Sequence, residues 1–317
     1  MVDNIYLIDI DCSIQKIVVY LQQLSCSQKI IIRYMPNITT NYTRIAWDNW
    51  LDLATTLTAT SESGNMVIEN VQNAVLGLPW RSTSNAVQEI EFDFGGLYLI
   101  DYLYISKHNI QGNSKIRLIL ATDAALSNRV LDREWNALDP VYGLGEGLLG
   151  ITPLGGYVYN SWIPVFSLRW FNTVVARYGK LVITDTSNPD GYIQASRIKI
   201  GKYYEFKGNL QYDYAPQFNT AAKQTRLPDG SLKGEKKSLW RDIPVTLNNI
   251  EYNQEKLLNE MIFYAGRDKD VLFVTFPEKG TTEELEHTFN GLISSNSGMS
   301  RVNMRFRTFS FSISELR

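Results

Sequence analysis

The chain is poor in the side chains that most often carry chemistry. Across 317 residues there are two cysteines, Cys12 and Cys26, and two histidines, His108 and His287. Two cysteines alone build neither a disulfide framework nor a zinc site. Two histidines leave room for a Ser-His-Asp or Cys-His hydrolase, but no motif of such an enzyme surrounds either. Long hydrophobic runs are missing: none reaches the ~18 residues that a membrane-spanning helix needs. An excess of one charge is missing too. Lys and Arg number 31 against 33 Asp and Glu, a net charge of −2, so no strong basic field exists to hold nucleic acid. No secretory leader is visible, because Asp3, Asp9 and Asp11 interrupt the apolar start. Cytoplasmic synthesis is therefore expected, with the sequons at Asn37 and Asn41 unmodified. No Asp-rich loop makes a convincing calcium site. The expectation is a chain without metal, cofactor, nucleic acid or membrane insertion, and not an enzyme.

What the chain does have is apolar and aromatic surface. Hydrophobic residues make up 44%, enough for a packed core, and there are 18 Tyr and 7 Trp, which suit half-buried strands and adhesive surfaces. Residues 1–34 hold both cysteines and follow no clean two- or 3.6-residue period. They read either as a strand plus a short helix, or as an extension upstream of a natural start at Met35 that packs poorly on the rest.

From Thr56 the pattern turns to β. "TLTATSE" (56–62) alternates, and "NVQNAVLG" (70–77) reads as a short helix or turn ending at Gly77. "VQEIEFDFG" (87–95) places Gln88, Ile90, Phe92 and Phe94 on one face, taken as inward. "LIDYLYISKHN" (99–109) follows, then "SKIRLILAT" (114–122) with Ile116, Leu118 and Leu120 alternating. Short strands with Gly, Asn and Asp turns predict an antiparallel sandwich.

"ENVQN" (69–73), "PWRSTS" (79–84) and "IEFDFGGLYLIDYLYISKHNI" (90–110) resemble the opening half of a discoidin-like, galactose-binding-type β-sandwich. Its closing half matches "ARYGKLVITDTSNPDGYIQASRIKIGKYYE" (176–205), where Asn188-Pro189-Asp190-Gly191 makes a turn. This combination is similar to tail-associated structural proteins of tailed bacteriophages and prophages, over roughly residues 40–317. The resemblance implies that Trp80 belongs to the sandwich floor, with Arg81 paired to a carboxylate at the edge. The sharper alternative is a carbohydrate site: Trp80 as an aromatic platform, Arg81 bonding hydroxyls, and His108 and Asn109 nearby. For His108 a satisfied loop histidine is the simpler reading.

Residues 139–171 form a long insertion. Gly143, Gly145 and Gly147 fit a loose Gly-x-Gly-x-Gly, but no buried strand precedes them and no helix follows, so a phosphate cradle is not expected. Leu144, Leu148, Leu149, Tyr157, Tyr159 and Trp162 make the segment apolar. Such a loop either folds back over its own sandwich or, as the preferred reading, makes a subunit contact in a ring or tube.

Residues 206–238 read as a hairpin arm with a Pro-Asp-Gly turn at 228–230 and lysines 233, 236 and 237, a solvated edge rather than a nucleic-acid contact. "LWRDIPVTLNNI" (239–250) is a strand and "NQEKLLNEMIFYAG" (253–266) a helix, with Asn253 as N-cap and Leu257, Leu258, Met261, Ile262 and Ala265 as its apolar stripe. "DVLFVTF" (270–276) is a buried strand. "LEHTFNGLI" (285–293) and "RVNMRFRTFSFSISEL" (301–316) close the sheet. In the last segment Val302, Met304 and Phe306 have one parity and Phe309, Phe311 and Ile313 the other. That predicts a bulge near Arg307-Thr308, or a strand buried on both faces.

The expected architecture is mainly β: residues 1–34 as an extension, a discoidin- or jelly-roll-like antiparallel sandwich over 35–205 with the 139–171 insertion, the arm at 206–238, and a smaller β-domain with one packed helix over 239–317. One helix on an antiparallel sheet is similar to the tail-tube and distal-tail fold of siphophages, where strand edges and hairpins reach the next subunit. The implied function is a structural component of a phage tail or tail tip, in the virion, with itself and other tail proteins as partners. The alternative is a carbohydrate-binding module for a host-surface glycan. A glycan hydrolase needs two carboxylates a fixed distance apart, and no spacing singles out such a pair.

Overall fold

The computed structural model describes residues 42–138, 165–206, 215–277, 281–301 and 306–317. The extension at 1–34 and most of the insertion lie outside these. In chain order the first half contains β1 (Arg44–Ala46), β2 (Thr56–Ala59), β3 (Trp80–Arg81), β4 (Gln88–Ser106), β5 (Lys115–Ala121), β6 (Arg129–Asn136), β7 (Phe166–Thr184), β8 (Gln194–Ala195), β9 (Arg197–Gly201) and β10 (Tyr204–Glu205). The second half contains β11 (Gln217–Thr220), β12 (Gln224–Arg226), β13 (Leu232–Gly234), β14 (Leu239–Ile250), α1 (Tyr252–Ala265), β15 (Asp270–Val274), α2 (Thr281–Glu286), β16 (Thr288–Arg301) and β17 (Arg307–Glu315). The protein is mainly β and antiparallel, with one main helix.

The first sheet runs β2-β4-β7-β5-β6, with β9 paired to the second half of β4. The alternation in β4 buries Gln88, Ile90, Phe92 and Phe94, as the sequence pattern requires. The two strands expected at 87–95 and 99–109 are one strand of 19 residues with a register shift between Asp93 and Tyr98. Gly95 permits that shift. Its φ is +77°, and a Cβ there would lie 2.8 Å from Thr55 Cγ2. Over the inner face lie the short β3–β8 ribbon and a 3-10 turn at Ile68–Gln72, whose Trp80, Ala195, Ile68 and Val71 join the sheet residues in one core.

The second sheet has the order β10-β1-β15-β16-β17-β14-β11. β1 and β10 therefore belong with the C-terminal strands, although both lie within the sequence range expected for the sandwich. From Arg44 the described chain runs in the second sheet, leaves to build the first, and returns. Leu258, Met261 and Ala265 of α1 pack on Ile243, Val245, Phe273, Phe311 and Ile313. Its N-cap is Glu251 in a capping box with Gln254, not Asn253: Glu251 sits in extended backbone one residue before the helix, whereas Asn253 is already inside it.

The irregularity expected near Arg307-Thr308 is present, but its extra residue lies on the partner strand: β14 pairs Leu247 with Phe309 and Ile250 with Arg307. β17 alternates without interruption, burying Arg307, Phe309, Phe311, Ile313 and Glu315. The parity change arises because residues 301–316 are not one strand: β16 ends at Arg301 and β17 starts at Arg307. Further register shifts lie in the β16–β17 pair, between Ile293 and Ser295 and between Asn296 and Gly298. Val302 and Met304 lie outside the described residues.

Tyr42–Arg317 form one compact unit. A third core cluster joins the sheets, through Tyr102, Tyr104, Phe166 and Leu168 from the first and Ala46, Leu272 and Val274 from the second. Beside it lies a buried charge network. Arg197 of β9 donates to Asp52 at 2.6 and 2.7 Å and to Asp270 of β15 at 2.7 and 3.2 Å. Lys199 Nζ donates to the Asp270 carbonyl at 2.8 Å and lies 3.4 Å from its carboxylate. Burial pushes the Asp270 carboxyl upward, but Lys199 and Arg197 outweigh it and hold it below the ordinary range. Burial lowers the Lys199 ammonium. Among the described residues no helix is long and apolar enough to cross a membrane.

Candidate ligand-binding end of the sandwich

Three connections meet at one end of the first sheet: 82–87 after β3, 107–114 after β4, and 185–193 before β8. Asp185 anchors them. Its buried carboxylate accepts from Gln111 N at 2.9 Å, Ser114 Oγ at 2.6 Å and Asn188 Nδ2 at 2.8 Å. Asn188 opens the expected Asn-Pro-Asp-Gly turn, closed by Gly191 N donating to Asn188 O at 3.1 Å, with Gly191 at φ +75°. Asn85 Nδ2 ties the first loop to the third through Thr186 O at 2.8 Å.

On this frame stand Arg81, Asn109, Asp190, Tyr192 and Gln194. Arg81 Nε and Nη2 both donate to Gln194 Oε1, at 3.0 and 2.7 Å, and the guanidinium lies over the Tyr192 ring at 4.1 Å. Asn109 Oδ1 accepts from Gln194 N at 2.8 Å, and its Nδ2 donates to Asp190 Oδ2 at 2.9 Å and Tyr192 O at 3.0 Å. Asp190 is exposed and the other four are half-buried. Among the described residues Arg81 Nη1 makes no hydrogen bond. The arrangement presents planar donors and acceptors, locked by one another, beside an aromatic ring.

Trp80 and His108, grouped with Arg81 and Asn109 by sequence, do not face this surface. Trp80 is 0% exposed and its Nε1 donates to Ser61 O at 3.2 Å, so its ring cannot stack on a sugar. It points inward because alternation in the two-residue β3 gives one side chain to the core and the next, Arg81, to solvent. Arg81 pairs with the Gln194 amide rather than with a carboxylate. His108 is buried, and its Nδ1 accepts from Ile110 N at 3.2 Å. The ring proton therefore sits on Nε2, which donates to Ser167 Oγ at 2.9 Å, while Ser167 donates to Ala137 O. Burial lowers the His108 pKa to about 4. The serine's proton is committed to a carbonyl, so the pair ties β7 to the strand-end loop and is not a nucleophile with its base.

Leu144, Leu148, Leu149, Tyr157, Tyr159 and Trp162, read as assembly residues, lie outside the described residues. Tyr192 and Gln194 are the site residues that sequence reasoning missed. The signal was present: in "YIQA" they alternate with Ile193 and Ala195, which are buried. Among the described residues no group of three or more His, Cys, Asp or Glu could hold a metal ion.

No protein-family model and no curated protein matches the chain. Solved structures do match part of it. A Clostridium perfringens carbohydrate-binding module, CBM32-5, in complex with GalNAc-beta-1,3-galactose is 16% identical, covering 49% of this chain and 100% of that one, with a TM-score of 0.33. Chitosan-binding module 1 from a Paenibacillus sp. IK-5 chitosanase/glucanase is 14% identical over 49% of this chain and 99% of that one, with a TM-score of 0.34. The family 32 module of C. perfringens NanJ, in complex with galactose, is 13% identical over 47% and 93%, with a TM-score of 0.31. These neighbours are carbohydrate-binding sandwich modules, and at such identities and scores the likeness decides nothing about what this chain binds.

Proposed function

We propose that the protein is a non-catalytic binding protein whose sandwich end takes a glycan, as a surface-attachment protein would. The observation that carries this reading is the Arg81–Tyr192–Gln194 group. A guanidinium fixed on an aromatic face and an amide oxygen keeps Nη1 free for a ligand, beside the exposed carboxylate of Asp190. Vicinal hydroxyls are met by such planar, bidentate groups, and the exposed parts of Tyr192 offer contact to sugar C–H surface. Because the side chains are already ordered by one another, binding freezes little extra freedom. Calorimetric titration with simple hexoses, hexosamines and their disaccharides tests this. Saturable binding that Arg81→Ala weakens by about tenfold or more is expected, the loss typical of a charged hydrogen bond. Binding that Arg81→Ala leaves intact sinks the assignment.

A second reading, a structural subunit of a bacteriophage tail or tail tip, is favoured by a different observation. Every residue from 223 to 239 is exposed, and among the described residues β12 pairs with β13 alone. An isolated two-stranded hairpin is marginal in water and gains stability when an assembly covers it. The readings are compatible, since a tail-tip subunit can carry a glycan site. Light scattering on the chain with residues 223–237 deleted tests the second: a smaller oligomer than the parent supports it, and an unchanged oligomer opposes it.

A further inference from the structure

The root of the arm carries a feature that neither reading uses. Between β11 and the start of β14 lies an open cleft of about 660 Å³, lined by Ala221, Lys236, Lys237, Ser238 and Trp240. Trp240 stands opposite Asn219 in the β11–β14 pair and is half-buried. Among the described residues its indole has neither a ring contact nor a hydrogen bond. Lys236 likewise has no partner there, while Lys237 lies 3.2 Å from Glu235. Residues 222–238 carry five basic side chains against Asp229 and Glu235, a local charge of +3 in a chain whose total is −2. The arm is thus positively charged, and two of its lysines, Lys236 and Lys237, line the cleft.

We propose that this cleft binds an anionic polysaccharide of the uronate type, with a sugar ring on the Trp240 indole and its carboxylates at the Lys236 and Lys237 ammonium groups. The volume is of the size that small ligands occupy, about 300–1,000 Å³. Ala221 and Ser238 are small, which leaves room for a ring against the indole. Lysine supplies compact, mobile point charges suited to carboxylates spaced along a hydroxyl-rich chain. One aromatic ring and two lysines fall short of the successive stacking platforms and multiple phosphate contacts by which single-stranded nucleic acid is held.

The test uses the full chain and four probes at low salt: hexagalacturonate, uncharged cellohexaose, poly-L-glutamate and an oligothymidylate, read by tryptophan fluorescence and calorimetry. Hexagalacturonate is expected to bind saturably and to weaken as salt rises. The Lys236→Ala/Lys237→Ala variant is expected to lose about tenfold or more in affinity, and both side chains are exposed, so its circular dichroism should match the parent. All four probes are run on the Arg81→Ala background, so that sugar held at the sandwich end does not contribute to the readout. The proposal is overturned if hexagalacturonate does not bind, or if the double lysine variant binds it unchanged. It is also overturned if cellohexaose, poly-L-glutamate or the oligothymidylate binds as tightly, since the first would show a neutral sugar site and the others an acidic-peptide or nucleic-acid site.

Discussion

Asp270→Asn is the most informative single change for the fold, because it keeps the shape and removes one charge from the network between the sheets. In the parent, Asp270 accepts from Arg197 at 2.7 and 3.2 Å and faces Lys199 Nζ at 3.4 Å, with the three side chains 2%, 2% and 0% exposed. Two buried cations then share two carboxylates. After the change they share Asp52 alone, whose side chain is 29% exposed. An uncompensated buried charge costs about 3–5 kcal/mol. With a urea dependence of about 3 kcal/mol/M, the midpoint should fall by about 1 M or more. Lys199→Met in the same chain removes the surplus cation and should recover most of the loss, which a double-mutant cycle reads as coupling. The pH dependence has a definite sign. The folded pKa of Asp270 is held below its ordinary 3.8, so its contribution is present above that value and is lost as pH falls below it. Equilibrium urea unfolding followed by fluorescence and far-UV circular dichroism makes the measurement. A loss under about 1 kcal/mol, the range of a surface pair, or no rescue by Lys199→Met, would refute the reasoning.

Two further changes test other parts of the fold. Burial raises the pKa of Asp101 from 3.8 to about 6 despite hydrogen bonds from Tyr203 N at 2.8 Å and Thr173 Oγ1 at 3.2 Å. Its charge therefore costs stability above pH 6, and that cost fades as pH falls toward 3.8. Asp101→Asn should stabilise the protein by about 1–2 kcal/mol at neutral pH and lose that advantage in acid; thermal melts across this range that run parallel for both proteins would oppose this. His108 works the other way, its pKa lowered from 6.5 to about 4, so stability falls as pH drops through that interval, and more visibly once Asp101 is gone. Trp80→Ala should cost about 3–5 kcal/mol in urea unfolding, as for other buried aromatic residues; a cost under about 1 kcal/mol would mean that Trp80 is not core.

Much of the architecture was legible because burial imposes a period on the strands. The inward faces of β4 and β5 follow from alternation, and β14 begins and ends where the pattern from Leu239 to Ile250 does. The apolar stripe of α1 likewise matches its buried residues. What alternation cannot show is pairing over long range. Three residues at Arg44–Ala46 join a strand 226 or more residues later, and nothing local marks them as part of the second sheet. The bulge near Arg307-Thr308 was assigned to the wrong strand for a related reason: a change of parity in one strand does not show which of the paired strands carries the extra residue. At the candidate site, composition drew attention to Trp80 and His108, yet these are the residues that burial removes from solvent. Tyr192 and Gln194 passed as ordinary strand residues because their importance depends on Arg81 and Asn109, brought beside them by the fold.

The most direct test of the proposed function is to locate a bound glycan on the surface. A glycan array supplies the tightest ligand, and amide hydrogen exchange with and without it, read by mass spectrometry, supplies the position. Protection confined to residues 81–86, 109–111 and 186–194, and abolished by Arg81→Ala, is the predicted result. Absence of any array ligand, or protection that falls elsewhere on the sandwich, would contradict the account.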